Sequence, residues 1–200
     1  MIYLEYIERD RFVPVEVFRY MGDQTSSWVD AHADRMILQL GRTLRFGPHP
    51  TYLAFWQIAG LHRLDEWEAY FSSKDWFDNS RSLAMHRSIH IQQAGLYEEV
   101  IDSVLGDETL HAIEFFDIVD GTSNDQIESH YRERAGRHRE GTVNMVLRRM
   151  AGLGPDPAHL AVWSFPSYES MSTYLHDDSS PEPIVNRAMG IYRPLGREIL

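Results

Sequence analysis

The stretch PHPTYLAFW at positions 48–56 returns as PDPAHLAVW at positions 155–163. The two segments start 107 residues apart, and a glycine precedes each of them, Gly47 and Gly154. Each opens with a proline turn and runs into apolar and aromatic residues, which is typical of a hairpin turn followed by a strand. The shared Pro-x-Pro-x-x-Leu-Ala-x-Trp pattern is specific, so we predict that the chain contains two copies of one structural unit.

Two weaker matches bracket this repeat in the same order along the chain. VEVF at 15–18 resembles IEFF at 113–116, and GLY at 95–97 resembles GIY at 190–192. The offset drifts from one match to the next, which places insertions and deletions in the loops between them. We therefore divide the chain into a first unit, 1–105, and a second unit, 106–200.

Hydrophobic periodicity gives each unit the order strand, helix, strand, strand, helix, strand. The first unit is predicted to contain strand 13–20, a helix ending near residue 35, strands 36–45 and 51–58, helix 61–73 and strand 94–101. The second is predicted to contain strand 111–119, helix 122–139, strands 142–151 and 158–165, helix 167–176 and strand 188–195. Strand 2–8 and insertion 74–92 have no clear counterpart. The fold class is α+β, with two ferredoxin-like βαββαβ repeats packed sheet to sheet as one barrel.

Composition limits the classes of partner. The chain has 200 residues, with 19 Lys and Arg against 30 Asp and Glu, a formal net charge of −11. Such a charge repels phosphate, so nucleic acid and anionic membrane are not expected partners. There is no cysteine, which excludes disulfides, thiolate nucleophiles and cysteine-based metal sites. We find no signal peptide or membrane span in the sequence and expect a cytoplasmic protein.

The repeated pattern resembles the dimeric α+β barrel superfamily in its fused form, and within it the NIPSNAP-like and EthD-like branches. The features that carry the resemblance are LAFW at 53–56, the amphipathic helix after it, and KDWF at 74–77. The second repeat lacks an equivalent of the last motif. The resemblance implies an enzyme for a small hydrophobic molecule, because the superfamily includes cofactor-free monooxygenases, polyketide cyclases, isomerases and haem-dependent enzymes. A shared fold does not select among these activities.

Two glutamates are candidate catalytic bases. Residues alternate faces along a strand, so Glu16 should lie with Phe18, and Glu114 with Phe116. A carboxylate on an apolar face inside the barrel would have a raised pKa, which suits a general base. The alternatives are that this face is solvated, or that each glutamate pairs with Arg42 or Arg149.

The hairpin strands supply the other candidates. Tyr52 and Trp56 share a face in the first unit, as His159 and Trp163 do in the second. The alanines between them leave room for a ligand, and Tyr52 and His159 add polar groups as an acid or hydrogen-bond donor. The alternative is that these aromatic residues simply form packed core. The predicted substrate-binding residues are Trp56, Trp163, Arg42 and Arg149.

No metal site and no organic cofactor are predicted. His86 and His90 have the spacing of two ligands on one helix face, yet no carboxylate ligand accompanies them. His130, Arg134 and His138 are interpreted as a solvated basic edge. Phosphate-binding glycine loops and the nucleophile elbow of serine hydrolases are also missing.

Three hypotheses follow. The first is an enzyme that performs proton transfer or oxygenation on an aromatic or polyketide-like substrate inside the barrel, without a nucleotide cofactor. The second is a haem protein whose iron is bound by His86, His90, His130 or His159. The third is a non-catalytic binding or assembly protein, a homodimer among the options, that pairs through strand 2–8 as a free sheet edge.

Overall fold

The structure is a computed structural model, and it describes residues 1–9, 34–43, 47, 50–73, 89–102, 110–176 and 183–195. The strands are β1 (Ile2–Arg9), β2 (Arg35–Arg42), β3 (Tyr52–Gln57), β4 (Ile89–Ile101), β5 (Leu110–Ile118), β6 (Thr142–Arg149), β7 (His159–Phe165) and β8 (Ile184–Pro194). The helices are α1 (His62–Phe71), α2 (Asn124–Arg137) and α3 (Tyr168–Leu175). These elements confirm the predicted order of the second unit. The predicted strand 13–20 and most of the predicted helix after it lie outside the described residues.

The eight strands form one closed antiparallel barrel in the order β1-β3-β2-β8-β5-β7-β6-β4. Within each unit the strand order is the same, β4-β1-β3-β2 in the first and β8-β5-β7-β6 in the second. The pairs β2–β8 and β4–β6 then join the two sheets at both edges. The predicted α+β barrel of two ferredoxin-like repeats is therefore confirmed.

Strand register corrects the assignment of strand 2–8. In β1, Leu4 lies opposite Gly95 of β4, just as Ile113 of β5 lies opposite Gly190 of β8. Thus β1 is the counterpart of β5 and a central strand, because it pairs with both β3 and β4. The predictions that this strand is an extra element and a free sheet edge are wrong, since its hydrogen-bonding groups face partners on both sides.

Side chains fill the barrel interior. Each of the eight strands contributes at least one residue to one buried cluster: Ile2, Leu4, Tyr6, Leu40, Leu53, Phe55, Tyr97, Ile113, Phe115, Met145, Leu147, Leu160, Val162 and Tyr192. The hydroxyls of Tyr6 and Tyr97 share a hydrogen bond of 2.8 Å inside it. The expectation of a substrate space in the barrel interior is wrong for the described residues, because large apolar side chains from eight strands meet there.

Glycines at two equivalent positions make this packing possible. A Cβ atom on Gly95 would lie 2.6 Å from the ring of Tyr97, and one on Gly190 would lie 2.6 Å from the ring of Tyr192. Each tyrosine ring therefore lies back over the glycine two residues before it. The predicted repeat of Gly-x-Tyr thus has a packing reason.

The helices cover the outer face of the barrel. In the second unit α2 and α3 pack Ile127, Tyr131, Met171 and Tyr174 against the outward residues of the sheet. Both helices begin with a capping box, at Ser123 and Ser167, which explains why the serine-rich segments mark helix starts. In the first unit α1 packs Trp67 against Trp56 and Ile58. Among the described helices, none is long and apolar enough to cross a bilayer.

Candidate functional site

Four of the predicted site residues lie outside the barrel rather than inside it. Trp56 and Tyr52 belong to the layer between the first sheet and α1. Trp163 packs between the second sheet and helices α2 and α3. His159, on the same face of β7, stacks on Phe116 at a centroid distance of 5.3 Å. Each unit therefore has its own outer layer, and the four residues do not meet in a single pocket.

Glu114 is the centre of a buried ionic cluster in the second layer. Its carboxylate accepts three hydrogen bonds of 3.0–3.2 Å from the Arg134 guanidinium and one of 2.8 Å from the Tyr131 hydroxyl. Arg187 of β8 forms a further ion pair with it. The side chains of Glu114 and Arg134 are both fully buried. Each buried charge is thus compensated directly.

These contacts correct the expectation for Glu114. Burial alone would raise the pKa of the carboxyl, but the charges of Arg134 and Arg187 outweigh burial and hold the pKa below its ordinary value. The alternative that Glu114 forms an ion pair is confirmed, but the predicted partners of that ion pair are wrong. Arg42 and Arg149 were expected, whereas the chain uses one arginine from a helix and one from the neighbouring strand.

The partners of Glu114, Arg134 and Tyr131, are not evident from the sequence around Glu114. Ile127, Tyr131 and Arg134 follow a helical spacing of four and three residues, and all are buried on the sheet side of α2. The guanidinium also lies 5.4 Å from the Trp163 ring centroid and 5.1 Å from that of Tyr174. The prediction of a solvated basic edge is therefore wrong for Arg134, because Glu114 and these rings enclose it.

The first layer contains the counterpart of Glu114, and it is Glu5 rather than Glu16. Glu5 lies opposite Ala54 in the register of β1 and β3, as Glu114 lies opposite Ala161 in that of β5 and β7. Since Ala54 and Ala161 are matched by the repeat, the two glutamates occupy equivalent places. Glu16 itself lies outside the described residues.

Glu5 has a different environment from Glu114. Its neighbours across the strands are two small residues, Ala54 on β3 and Ala94 on β4. The Trp56 indole donates a hydrogen bond of 2.9 Å to the carboxylate. Among the described residues no cation forms an ion pair with it. Burial therefore raises the pKa of Glu5 to about 7, although the hydrogen bond from Trp56 acts in the opposite direction.

Aromatic residues pack in the same layer as this carboxylate. Trp67 of α1 makes edge contacts with Tyr3 and Trp56, each at a ring-centroid distance of 5.4 Å. The Trp67 indole donates to Asp34 at 3.1 Å, and Arg63 pairs with the same Asp34 oxygen at 2.9 Å. The negative charge of Asp34 is therefore compensated by its own arginine. Glu5, by contrast, has only a neutral donor among the described residues.

Arg42 and Arg149 stabilise the hairpin turns. Arg42 donates to the carbonyl of Gly47 at 3.1 Å, and Arg149 donates to the carbonyl of Gly154 at 2.9 Å. Arg149 also pairs with Asp156 at 2.8 Å. These equivalent contacts place both arginines at the proline turns. The geometry does not bring them to Glu5 or Glu114, although both were predicted to bind substrate.

His159 lies in the second layer as a buried, neutral imidazole. Burial and the nearby Arg148 lower its pKa to about 4. Neither ring nitrogen has a hydrogen-bond partner within the part of the chain that the structure describes. In that same part, no three histidine or acidic side chains gather as a metal site would require. The predicted candidate His86 lies outside the described residues.

Comparison with known proteins supports the fold. No protein-family profile and no curated protein matches this sequence. Among solved structures, a "putative monooxygenase" from Lactobacillus acidophilus NCFM is similar over 96% of this chain and 92% of its own, with a TM-score of 0.61 and 8% identity. A mutant of the chlorite dismutase from Candidatus Nitrospira defluvii is similar over 96% and 90%, with a TM-score of 0.55 and 8% identity. At this identity the likeness shows an α+β barrel fold and no particular reaction.

Proposed function

We propose that this chain is an enzyme that removes a proton from a small hydrophobic molecule, aromatic or polyketide-like, without a nucleotide cofactor. Glu5 is the base. The supporting observation is the contrast between equivalent carboxylates, since Glu114 is fixed by two arginines whereas Glu5 has a pKa of about 7 and one neutral donor. In this proposal the chain belongs to the NIPSNAP-like or EthD-like branch of the barrel superfamily and resembles the monooxygenase, cyclase and isomerase members.

A pKa near 7 suits proton transfer in both directions. Close to neutral pH such a carboxyl accepts a proton readily and returns it readily, so it can act as base and then as acid. Glu114 lacks this property, because its charge is held by Arg134 and Arg187. Of the two bases proposed from sequence, Glu114 is therefore replaced by Glu5, and Glu16 lies outside the described residues.

Neighbouring side chains would orient the base and the substrate. The Trp56 indole fixes one carboxylate oxygen, which leaves the second oxygen for the proton. Glu5 is half-buried, and its cross-strand neighbours Ala54 and Ala94 are both small. Tyr52, one of the two proposed donors, belongs to the same layer. His159 lies in the other layer and would act elsewhere.

Solvent deuterium exchange tests this proposal without a known product. Candidate carbon acids, including phenolic and 1,3-dicarbonyl compounds, are incubated in D₂O and the loss of the C–H signal is followed by NMR. The rate should rise with pH and level off above about pH 7, because only ionised Glu5 accepts a proton. Glu5→Gln should lose at least about 100-fold of the rate, which is typical of a missing general base.

Glu128→Gln is the matched control, since it removes the same charge from a partly exposed position of α2 that lies in the other unit. Its rate and pH profile should equal those of the wild type. Exchange that survives in Glu5→Gln, or a rate that does not change between pH 5 and pH 9, would contradict the proposal.

A second candidate function rests on His159. A neutral imidazole with both nitrogens unpartnered among the described residues is the form that binds iron, so the side chain fits an axial haem ligand. His159 would hold the iron, and haem would supply redox chemistry there. The stacked Phe116 ring fixes the orientation of the imidazole.

Titration with hemin decides this candidate. We expect a Soret band that saturates at one equivalent in the wild type and is lost in His159→Ala. His176→Ala serves as the control, because His176 is an exposed histidine at the end of α3 and bonds to the Ser172 carbonyl. Equal, non-saturating spectra for all three proteins would remove haem from consideration.

A further inference from the structure

Asp34 is a buried carboxylate that accepts hydrogen bonds from three donors at the edge of the first layer. One oxygen accepts a bond of 3.0 Å from the backbone N–H of Ala59. The other accepts bonds of 2.9 Å from Arg63 and 3.1 Å from the Trp67 indole. Asp34 therefore joins the start of β2 and the loop after β3 to helix α1. The bond to the indole fixes the Trp67 ring in particular, because an N–H group has one direction in which it can donate.

Trp67 lies against two aromatic residues that neighbour Glu5. Its ring makes edge contacts with Trp56 and Tyr3, each at a centroid distance of 5.4 Å. Trp56 donates the 2.9 Å hydrogen bond to the Glu5 carboxylate. Burial and the charge of Glu5 raise the pKa of the Tyr3 hydroxyl, so that this group stays neutral. Trp56 and Trp67 are both buried, and in a close-packed layer one ring cannot turn unless the other moves.

The second unit has a different residue at the place of Asp34. Asp34 stands two residues before the residue of β2 that lies opposite Trp56. Gly141 stands two residues before the residue of β6 that lies opposite Trp163. A glycine has no side chain with which to accept a hydrogen bond. An acid at this equivalent position therefore accompanies the proposed base in the first unit and is replaced in the second.

We infer that Asp34 is a positioning residue for the proposed base, because it holds Trp67, and Trp67 holds the Trp56 indole on the Glu5 carboxylate. The inference rests on the proposed function and adds to that site a carboxylate that acts through two tryptophans. The bond from Trp56 stabilises the charged form of Glu5 and opposes the effect of burial. A Trp56 ring that leaves its place should therefore raise the pKa of Glu5 above the wild-type value.

The double variant Asp34→Leu/Arg63→Met tests this inference. It replaces the ion pair with apolar side chains, so neither charge is left buried alone and the net charge does not change. The Glu5 titration is followed by carbon-detected NMR of protein labelled with ¹³C at the glutamate carboxyl. We expect the midpoint to rise by about half a pH unit or more. A merely loosened layer would admit water and lower the midpoint, so the direction of the shift separates the two effects.

The Trp56 indole N–H signal gives a second readout in the same samples. In the wild type it should shift with pH at the Glu5 midpoint, because a carboxylate accepts a stronger hydrogen bond than a carboxylic acid does. In the double variant this pH-dependent shift should be lost or reduced to less than about half. An unchanged shift would show that Trp56 keeps its place without Asp34 and would overturn the inference.

Two single variants make the result specific. Arg63→Lys changes the ion pair but keeps both charges and the Asp34 acceptor for Trp67, so its Glu5 midpoint should equal that of the wild type. Trp67→Phe removes the indole N–H and keeps both charges. It should raise the midpoint as the double variant does, and it serves if that variant does not fold. An unchanged or lower midpoint in Trp67→Phe, or an equal rise in Arg63→Lys, would overturn the inference.

The failure of this inference is distinguishable from failure of the proposed function. If Glu5 titrates near pH 7 in the wild type and in the double variant alike, the proposed base stands and Asp34 does not position it. If Glu5 of the wild type titrates near pH 4.5 with the surface carboxyls, the proposed function fails whatever the variants show.

Discussion

Replacing Arg134 by methionine should lower the free energy of unfolding by about 3–5 kcal/mol, the cost of breaking a buried ion pair on one side. Methionine has a similar length and fills similar space, so the loss reports the charge rather than a cavity. Arg187 and Tyr131 remain on Glu114, but the guanidinium that makes three of its hydrogen bonds is gone. Urea unfolding at pH 7, followed by circular dichroism, measures the change.

Arg132→Met on the same helix is the matched control. Arg132 is exposed and pairs with Glu128 one turn away, a type of ion pair that contributes about 0.3–0.5 kcal/mol. The double variant Glu114→Leu/Arg134→Met should recover part of the loss, since it leaves no carboxylate buried without its main partner. If Arg134→Met is no less stable than Arg132→Met, the buried cluster is not the structural centre of the second layer.

Glu5→Gln should have the opposite effect and stabilise the protein at alkaline pH. A rise in carboxyl pKa from 4.5 to about 7 means that the folded protein holds this proton more tightly than the unfolded chain does. Stability is therefore unaffected by Glu5 below pH 4.5, falls as pH rises from 4.5 to about 7, and stays lower by about 2–3 kcal/mol at pH 8. Glutamine keeps the acceptor for the Trp56 indole and has no charge to bury.

The comparison of stability at two pH values checks this prediction. Wild type and Glu5→Gln should unfold at similar urea concentrations at pH 4.5, and the variant should be the more stable by about 2–3 kcal/mol at pH 8. Glu128→Gln should follow the wild type at both values. If Glu5→Gln gains stability and also loses deuterium exchange, then Glu5 serves the reaction at a cost in stability. Equal stability of wild type and Glu5→Gln at pH 8 would refute the raised pKa.

The fold was predictable because its main signal is repeated in the sequence. The hairpin pattern at 48–56 and 155–163 fixes the two central strands of equivalent sheets, and the proline turns fix where the strands begin. Hydrophobic periodicity located helices such as α2, and the serine that forms its capping box marked where that helix begins. Each of these signals comes from residues that are close together in the chain, so a single sequence is enough to detect it.

The location of the site was less predictable, because it depends on which strand is central. VEVF at 15–18 resembles IEFF at 113–116 in sequence, whereas LEYIE at 4–8 is the structural counterpart of IEFFD at 113–117. The second alignment agrees at all five positions in apolar or acidic character. Glu8 and Asp117 also accept equivalent hydrogen bonds, from the backbone of Thr51 and of Ala158.

Whether each glutamate forms an ion pair could not be predicted from the sequence of its own strand. Glu5 and Glu114 lie in similar local sequences, so alternation gives both the same apolar surroundings. Their difference comes from Arg134 on a helix and Arg187 on another strand, and such long-range partners are decided by packing. For the same reason, the sequence of each hairpin does not show that Trp56 and Trp163 point outward. Their direction depends on which face of the strand the closed barrel turns toward its interior.

The central claim is that Glu5, and not Glu114, is the ionisable carboxyl that titrates near neutral pH. Carbon-detected NMR of protein labelled with ¹³C at the glutamate carboxyl measures this directly, with Glu5→Gln and Glu114→Gln used to assign the two signals. We predict that the Glu5 signal shifts with a midpoint near pH 7 while the Glu114 signal stays ionised down to below pH 4.5. A Glu5 midpoint near 4.5, together with the surface glutamates, would contradict the account.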